Sequence, residues 1–168
     1  YLYQGEELGL PEVIHLPDDA RQDPTWFRTE GERYGRDGCR VPIPWSADAP
    51  GYGFSPTGEA WLPQPAEWAQ LARDVQEDDP ESTLWLYRTL LATRRAENLG
   101  AGELEWLDGY GEDVLAFRVS TGAAGSVTVL ANAGSTPAPL PAGTVLVASA
   151  PFDGTDLPVD VAVWIAAD

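Results

Sequence analysis

The segment Gly35-Arg36-Asp37-Gly38-Cys39-Arg40-Val41-Pro42-Ile43-Pro44-Trp45 sets two guanidiniums and a carboxylate in a loop stiffened by proline and crowded by aromatic residues. An arginine fork pairs bidentately with a carboxylate or with vicinal hydroxyls, and it holds its charge at any working pH. Burying such charges without partners is costly. Two readings follow from the residue types: Arg36 and Arg40 grip a ligand, or they close a purely structural clasp with Asp37.

The other reactive side chains have weaker settings. Glu6-Glu7 is a carboxylate pair, but neighbours on a strand point to opposite faces and cannot converge on one bond. The pair reads as the cap or brace of a turn. His15, the single histidine, lies near Asp18 and Asp19 without any Gly-x-Ser-x-Gly elbow, so it reads as a solvated loop residue. Cys39 stands between Arg36 and Arg40, cations that would lower a thiol pKa. With no further histidine to act as base, it reads as a small buried residue. The run Glu77-Asp78-Asp79 with Glu81 lacks the alternating ligands of a calcium loop and reads as a charged helix start.

The elements that must hold these groups fall into four zones. Residues 1–10 read as a short aromatic strand running into a turn at Gly5 and Gly9. Residues 11–65 are long, irregular and punctuated by proline, yet they carry Trp26, Phe27, Tyr34, Trp45, Tyr52, Phe54 and Trp61. Disordered linkers are poor in aromatics, so an ordered, functional loop is expected. Residues 66–98 read as two helices. The first runs from Ala66 to Gln76 with Trp68, Leu71, Ala72 and Val75 on one stripe; the second is capped by Asp79 with Pro80 in its first turn. Leu84, Tyr87, Leu90 and Leu91 form the stripe of the second, Arg94 and Arg95 sit at its negative pole, and Gly100 and Gly102 stop it. From residue 103 the apolar period changes to two. Strands are expected at 103–108, 113–120, 126–132, 144–150 and 160–166, with loops such as Ala123-Ala124 between them; the spacing predicts a small antiparallel sandwich.

Composition narrows the function. Ten arginines and no lysine face 27 acidic residues, a net charge of −17 that repels nucleic acid and anionic membranes. The balance suits a neutral ligand, sugars among them. One cysteine excludes an internal disulfide framework and a multi-cysteine zinc site. No apolar run approaches the roughly 20 residues that span a bilayer. There is no methionine, and the chain opens in the middle of an apparent strand, so an N-terminal part is expected to be missing.

At this point the segments resemble a known family. Tyr3-Gln4-Gly5-Glu6-Glu7-Leu8-Gly9-Leu10 is similar to the region of barrel strand eight in glycoside hydrolase family 13 α-glucosidases of the oligo-1,6-glucosidase type. The run from Arg36 to Trp45 matches their Arg-Asp-x-x-Arg-x-Pro-hydrophobic-x-Trp motif, flanked by Gln22-Asp23-Pro24 and Gly51-Tyr52-Gly53-Phe54. Leu86-Tyr87-Arg88-Thr89-Leu90-Leu91-Ala92-Thr93-Arg94-Arg95 looks like the last barrel helix. Asp113-Val114-Leu115-Ala116-Phe117 and Ala162-Val163-Trp164-Ile165 resemble strands of the family's C-terminal sandwich.

The resemblance implies an α+β fragment: the last strand, long loop and last helices of a (β/α)8 barrel over residues 1–98, then an antiparallel β-sandwich over 99–168. It implies a retaining, exo-acting enzyme that removes terminal α-linked glucose from small oligosaccharides of the maltose or isomaltose type, in the cytoplasm and without nucleic-acid or membrane partners. The family's catalytic carboxylates would all lie upstream of Tyr1, as would any structural calcium or magnesium, leaving the fragment inactive and without a cofactor. Arg36 matches the arginine that closes the glucose pocket against an aspartate outside this chain. Arg40 matches the second motif arginine, with aglycone-side or structural contacts. Sucrose isomerases and transglucosylases share this frame, and a non-catalytic carbohydrate-binding or interaction module is the alternative of another class. A catalytically silent relative, such as the ectodomain of an amino-acid transporter heavy chain, fits the intact arginine motif less well.

Overall fold

The computed structural model describes residues 1–122 and 125–167, so the expected Ala123-Ala124 loop lies outside the described residues. The chain divides into two compact units, Tyr1–Tyr87 and Arg88–Asp168.

The first unit is built from tight turns and short helices around a small core. Leu16, Val41, Leu62 and Trp68 are buried together, with Leu10, Val13, Tyr52 and Leu71 packed against them. Its three α-helices are numbered here along the chain, α1 (Pro24–Arg28), α2 (Arg73–Glu77) and the start of α3 (Thr83–Ala96). The long segment between residues 11 and 65 is ordered by side chains reaching back to the backbone. Gln64 donates to the Pro42 carbonyl at 3.0 Å, and both Trp45 N–H and Ser46 N–H donate to the Tyr52 carbonyl at 2.8 and 3.0 Å.

Three local expectations are corrected. Tyr1–Tyr3 is not a strand: it pairs with no other segment, and all three side chains stand exposed. A barrel strand takes its hydrogen bonds from its neighbours, and none of the described residues supplies them. Residues 66–76 are not one helix. A 3-10 turn over Ala66–Leu71 is broken at Ala72, whose ψ of 146° is extended, before α2 begins. The break lets Arg73 N–H and Asp74 N–H donate to the Pro44 and Trp45 carbonyls at 3.0 and 3.2 Å, which ties α2 to the arginine loop. The last helix starts at Thr83, later than Asp79-Pro80 suggests. Asp79 instead closes a turn by accepting from Glu81 N–H, and Ser82 Oγ accepts from Trp85 N–H at 3.3 Å as the true cap. At the far end the helix stops ahead of Gly100, with Asn98 in the left-handed region at φ 54°.

The second unit carries the β-structure, and all five expected strands are present. They are β1 (Glu103–Trp106), β2 (Val114–Ser120), β3 (Ser126–Asn132), β5 (Thr144–Ala148) and β7 (Ala162–Ala166), joined by two short ones, β4 (Ala138–Pro139) and β6 (Asp156–Leu157). The larger sheet has the order β1-β2-β3-β7-β5, antiparallel throughout, and β4 pairs with β6. Period-two alternation puts Ala116, Leu130, Val163 and Ile165 on one face, where they share a core with Ala138 and Leu157 of the small sheet. The opposite face buries Val119, Val127 and Val129 with Leu99. Two-residue strands carry too little pattern to be read from sequence. Here the buried Asn132 amide, donating to the Thr136 and Leu157 carbonyls at 2.9 and 3.1 Å, holds them in place.

Candidate functional site

The arginine loop is cross-tied to the segment before α1 by two buried aspartates. Asp23 caps α1, its Oδ1 accepting from Thr25 N–H at 2.8 Å, with Pro24 in the first turn where no N–H is needed. Its Oδ2 accepts both the Arg36 N–H at 3.0 Å and Arg40 Nη1 at 2.9 Å. Asp37 returns the tie: its Oδ2 accepts the N–H groups of Gln22 and Asp23, each at 2.9 Å, and its Oδ1 lies 3.5 Å from Arg40 Nη1. Both carboxylates are almost fully covered, at 5% and 3% exposure, and both are charge-paired as burial demands.

Electrostatics follow that geometry. The Thr25 N–H foremost, then the Arg36 N–H and the Arg40 guanidinium, hold the Asp23 carboxyl well below the usual carboxylate range against the opposing effect of burial. Burial works against the charge of Arg40, but Asp23 and Asp37 outweigh it and raise its pKa. Glycine is required at two places in the loop. Gly35 has φ +71°, and a Cβ there would sit 2.4 Å from Asp23 Cγ; at Gly38 it would sit 2.5 Å from the Val13 carbonyl oxygen.

The two motif arginines therefore have different settings. Arg40 spends Nη1 on the clasp and keeps part of its guanidinium exposed on a groove of about 390 Å³ lined by Gln22, Asp37, Pro42, Phe54, Trp61 and Leu62. Phe54 and Trp61 are exposed there. Arg36 is anchored by its backbone alone: its side chain is exposed, and among the described residues it has no hydrogen bond or ion pair. The loop holds the Arg36 backbone in place and leaves five guanidinium donors for something else.

The remaining reactive residues are structural here. Glu6 and Glu7 brace a 3-10 turn (Glu6–Leu8), accepting from Tyr3 N–H at 3.0 Å and Gly5 N–H at 2.9 Å. Tyr87 Oη donates to Glu6, and burial followed by that carboxylate raises the phenol's pKa. His15 is exposed on its loop. Cys39 is a half-buried free thiol whose Sγ contacts the Arg36 carbonyl at 3.1 Å. Glu77 pairs with Arg73 at 2.7 Å, and no cluster of three His, Cys, Asp or Glu residues suited to a metal forms among the described residues.

Sequence reasoning missed three residues. Asp23 was legible, since Asp-Pro before an apolar pair is a helix-start signal. Arg21 was not. Its side chain is 2% exposed, donates to the Ile14 and Leu16 carbonyls, and lies 4.9 and 4.5 Å from the centroids of the Trp26 and Tyr34 rings. Gln76, buried at 5%, joins three separate backbone segments.

Residues 1–102 match the family model described as alpha amylase, catalytic domain. A probable alpha-glucosidase of Rhizobium meliloti is 41% identical over 72% of this chain and 21% of its own length. The oligo-1,6-glucosidase of Parageobacillus thermoglucosidasius is 27% identical over 59% of the chain and 20% of its own length. Among solved structures, the alpha-glucosyl transfer enzyme XgtA is 36% identical with a TM-score of 0.76, over 98% of this chain and 32% of that one. The chain thus spans about a fifth of the length of the curated relatives it matches. With the catalytic-domain match running through the clasped arginine loop, the chain belongs to the alpha-amylase family of glycoside hydrolases.

Proposed function

We propose that this chain is part of a retaining, exo-acting α-glucosidase that hydrolyses terminal α-linked glucose from small oligosaccharides. In that reading residues 1–98 complete a (β/α)8 barrel and residues 99–168 form its C-terminal sandwich. The catalytic carboxylates belong to parts of the enzyme outside this chain and act by double displacement across a separation of about 5–5.5 Å. The protein's place would be the cytoplasm; no helix among the described residues is long and apolar enough to cross a membrane.

The observation that carries the reading is Arg36: an exposed guanidinium, without a partner among the described residues, on a backbone fixed by Asp23. A planar fork in a rigid setting suits the vicinal hydroxyls at the non-reducing end of a sugar. Arg40 is the second substrate contact, on the aglycone side, where its groove offers Trp61 and Phe54 as apolar walls for sugar faces. A second reading, glucosyl transfer to an acceptor sugar, draws support from the likeness to an enzyme named for alpha-glucosyl transfer.

Steady-state kinetics of the full-length parent on maltose and isomaltose test the assignment, with glucose release separated from transfer products. Loss of a charge-assisted contact that tightens toward the transition state costs about 2–5 kcal/mol, roughly 30- to several-thousand-fold in kcat/KM. Arg36→Lys keeps the charge but loses the fork, so it should be nearly as damaging as Arg36→Ala while both variants melt like the wild type. A folded Arg36→Ala enzyme with wild-type kcat/KM would remove Arg36 from the site.

A further inference from the structure

We infer that Asp23 is a positioning residue for the Arg36 guanidinium, acting through the Arg36 peptide and touching no substrate itself. The inference rests on the reading of Arg36 as a substrate contact and deepens it. No other described residue bonds to the Arg36 N–H, and the same Asp23 Oδ2 that accepts it at 3.0 Å accepts Arg40 Nη1 at 2.9 Å. One oxygen therefore sets both motif arginines relative to each other.

The surroundings leave that peptide little freedom. Gly35 lies so close that a Cβ would fall 2.4–2.6 Å from three atoms of Asp23, so the chain presses directly on the carboxylate as it enters Arg36. On the other side the Arg36 carbonyl accepts Cys39 N–H at 3.2 Å, and Asp37, next in sequence, is bonded to the N–H of Asp23 itself. The Asp23 and Asp37 ties run in opposite directions between residues 22–23 and 36–40, so neither segment can slide without breaking both. Beyond its Cα, Arg36 is held by nothing among the described residues. Its aim is set where the backbone is set. Catalytic contacts are sensitive to misplacements of about 1 Å, which can cost roughly 100-fold.

The test is a double-mutant cycle in the full-length parent enzyme. Asn and Ser are as good as Asp at capping a helix, so Asp23→Asn and Asp23→Ser both keep the Thr25 bond and the start of α1. Asn turns one acceptor oxygen into a donor facing Arg36 N–H or Arg40, and Ser is too short to reach them. Both should lower kcat/KM on maltose at least tenfold, at a temperature well below the midpoint of each variant's melt. In an Arg36→Ala background the same changes should lower it by a clearly smaller factor than in the wild type, because only the Arg40 guanidinium is left for Asp23 to place.

Losses that multiply fully in the Arg36→Ala background would overturn the positioning role and leave Asp23 as a general fold element. So would a single variant that melts lower yet keeps wild-type kcat/KM. Should Arg36→Ala itself be wild-type-like in an active parent, the reading of Arg36 falls and the positioning role falls with it. An inactive wild-type parent would instead strike at the glucosidase reading.

Discussion

Replacing Gln76 by glutamate exchanges one NH2 for an oxygen and changes almost nothing in shape. The wild-type amide donates from Nε2 to the Leu8 carbonyl at 2.8 Å and to the Leu71 carbonyl at 3.0 Å, and its Oε1 accepts the Leu84 N–H at 3.0 Å. Those three carbonyl and amide groups belong to the turn after residues 1–5, the 3-10 turn before α2, and the first turn of α3. In Gln76→Glu the Leu84 bond survives, but two acceptors now face an acceptor. Leaving a buried polar group unmatched costs about 1–3 kcal/mol, so the two lost bonds predict a loss of about 2–6 kcal/mol near neutral pH. The loss should depend on pH. Burial and the facing carbonyls push the new carboxyl's folded pKa above its unfolded value of about 4.3. The native state then binds the proton more tightly, so stability falls as pH rises between the two values. The penalty is largest above the raised pKa, shrinks as pH falls through it, and levels off below about 4.3, where the acid donates to one carbonyl again. Urea unfolding followed by tryptophan emission reads this directly, since Trp26, Trp45, Trp61, Trp68 and Trp85 all lie in the first unit. Gln76→Ala should lose a similar amount with no such pH dependence. A Gln76→Glu protein within 1 kcal/mol of wild type at pH 7, or one whose deficit is flat with pH, would refute the account.

Two further outcomes are expected. The 168-residue chain alone should release no nitrophenol from a nitrophenyl α-glucoside, because the nucleophile and acid of the proposed enzyme lie outside this chain and its own adjacent pair, Glu6 and Glu7, braces a turn; turnover that survives repurification from a host lacking α-glucosidases would contradict this. In the second unit Leu130 is fully buried at the centre of β3, so Leu130→Ala should cost about 2–5 kcal/mol in chemical denaturation, whereas the exposed Leu104→Ala should cost under about 1 kcal/mol.

The relation between pattern and structure differs along the chain. The central strands of the second unit were legible because alternate side chains enter two different cores: Ala116, Leu130, Val163 and Ile165 share one, Val119, Val127 and Val129 the other, and a one-residue slip would exchange them. The family was legible too, since the Arg-Asp-x-x-Arg motif needs particular side chains in a fixed order. The first unit was harder. Its order comes from side chains such as Gln76, Asp23 and Gln64 bonding to backbone far away in sequence, and no local period encodes such contacts. The helix break at Ala72 is one case. Trp68, Leu71, Ala72 and Val75 carry a helical stripe, yet the bonds from Arg73 and Asp74 to Pro44 and Trp45 outweigh local propensity. The two arginines are the sharpest contrast. Sequence alone determined that Arg36 and Arg40 were either ligand contacts or a clasp. The tertiary structure put one nitrogen of Arg40 into the clasp and kept the rest of its guanidinium partly exposed, because only the fold brings Asp23, 17 residues earlier, within 2.9 Å of it, and it left the side chain of Arg36 free of any partner among the described residues.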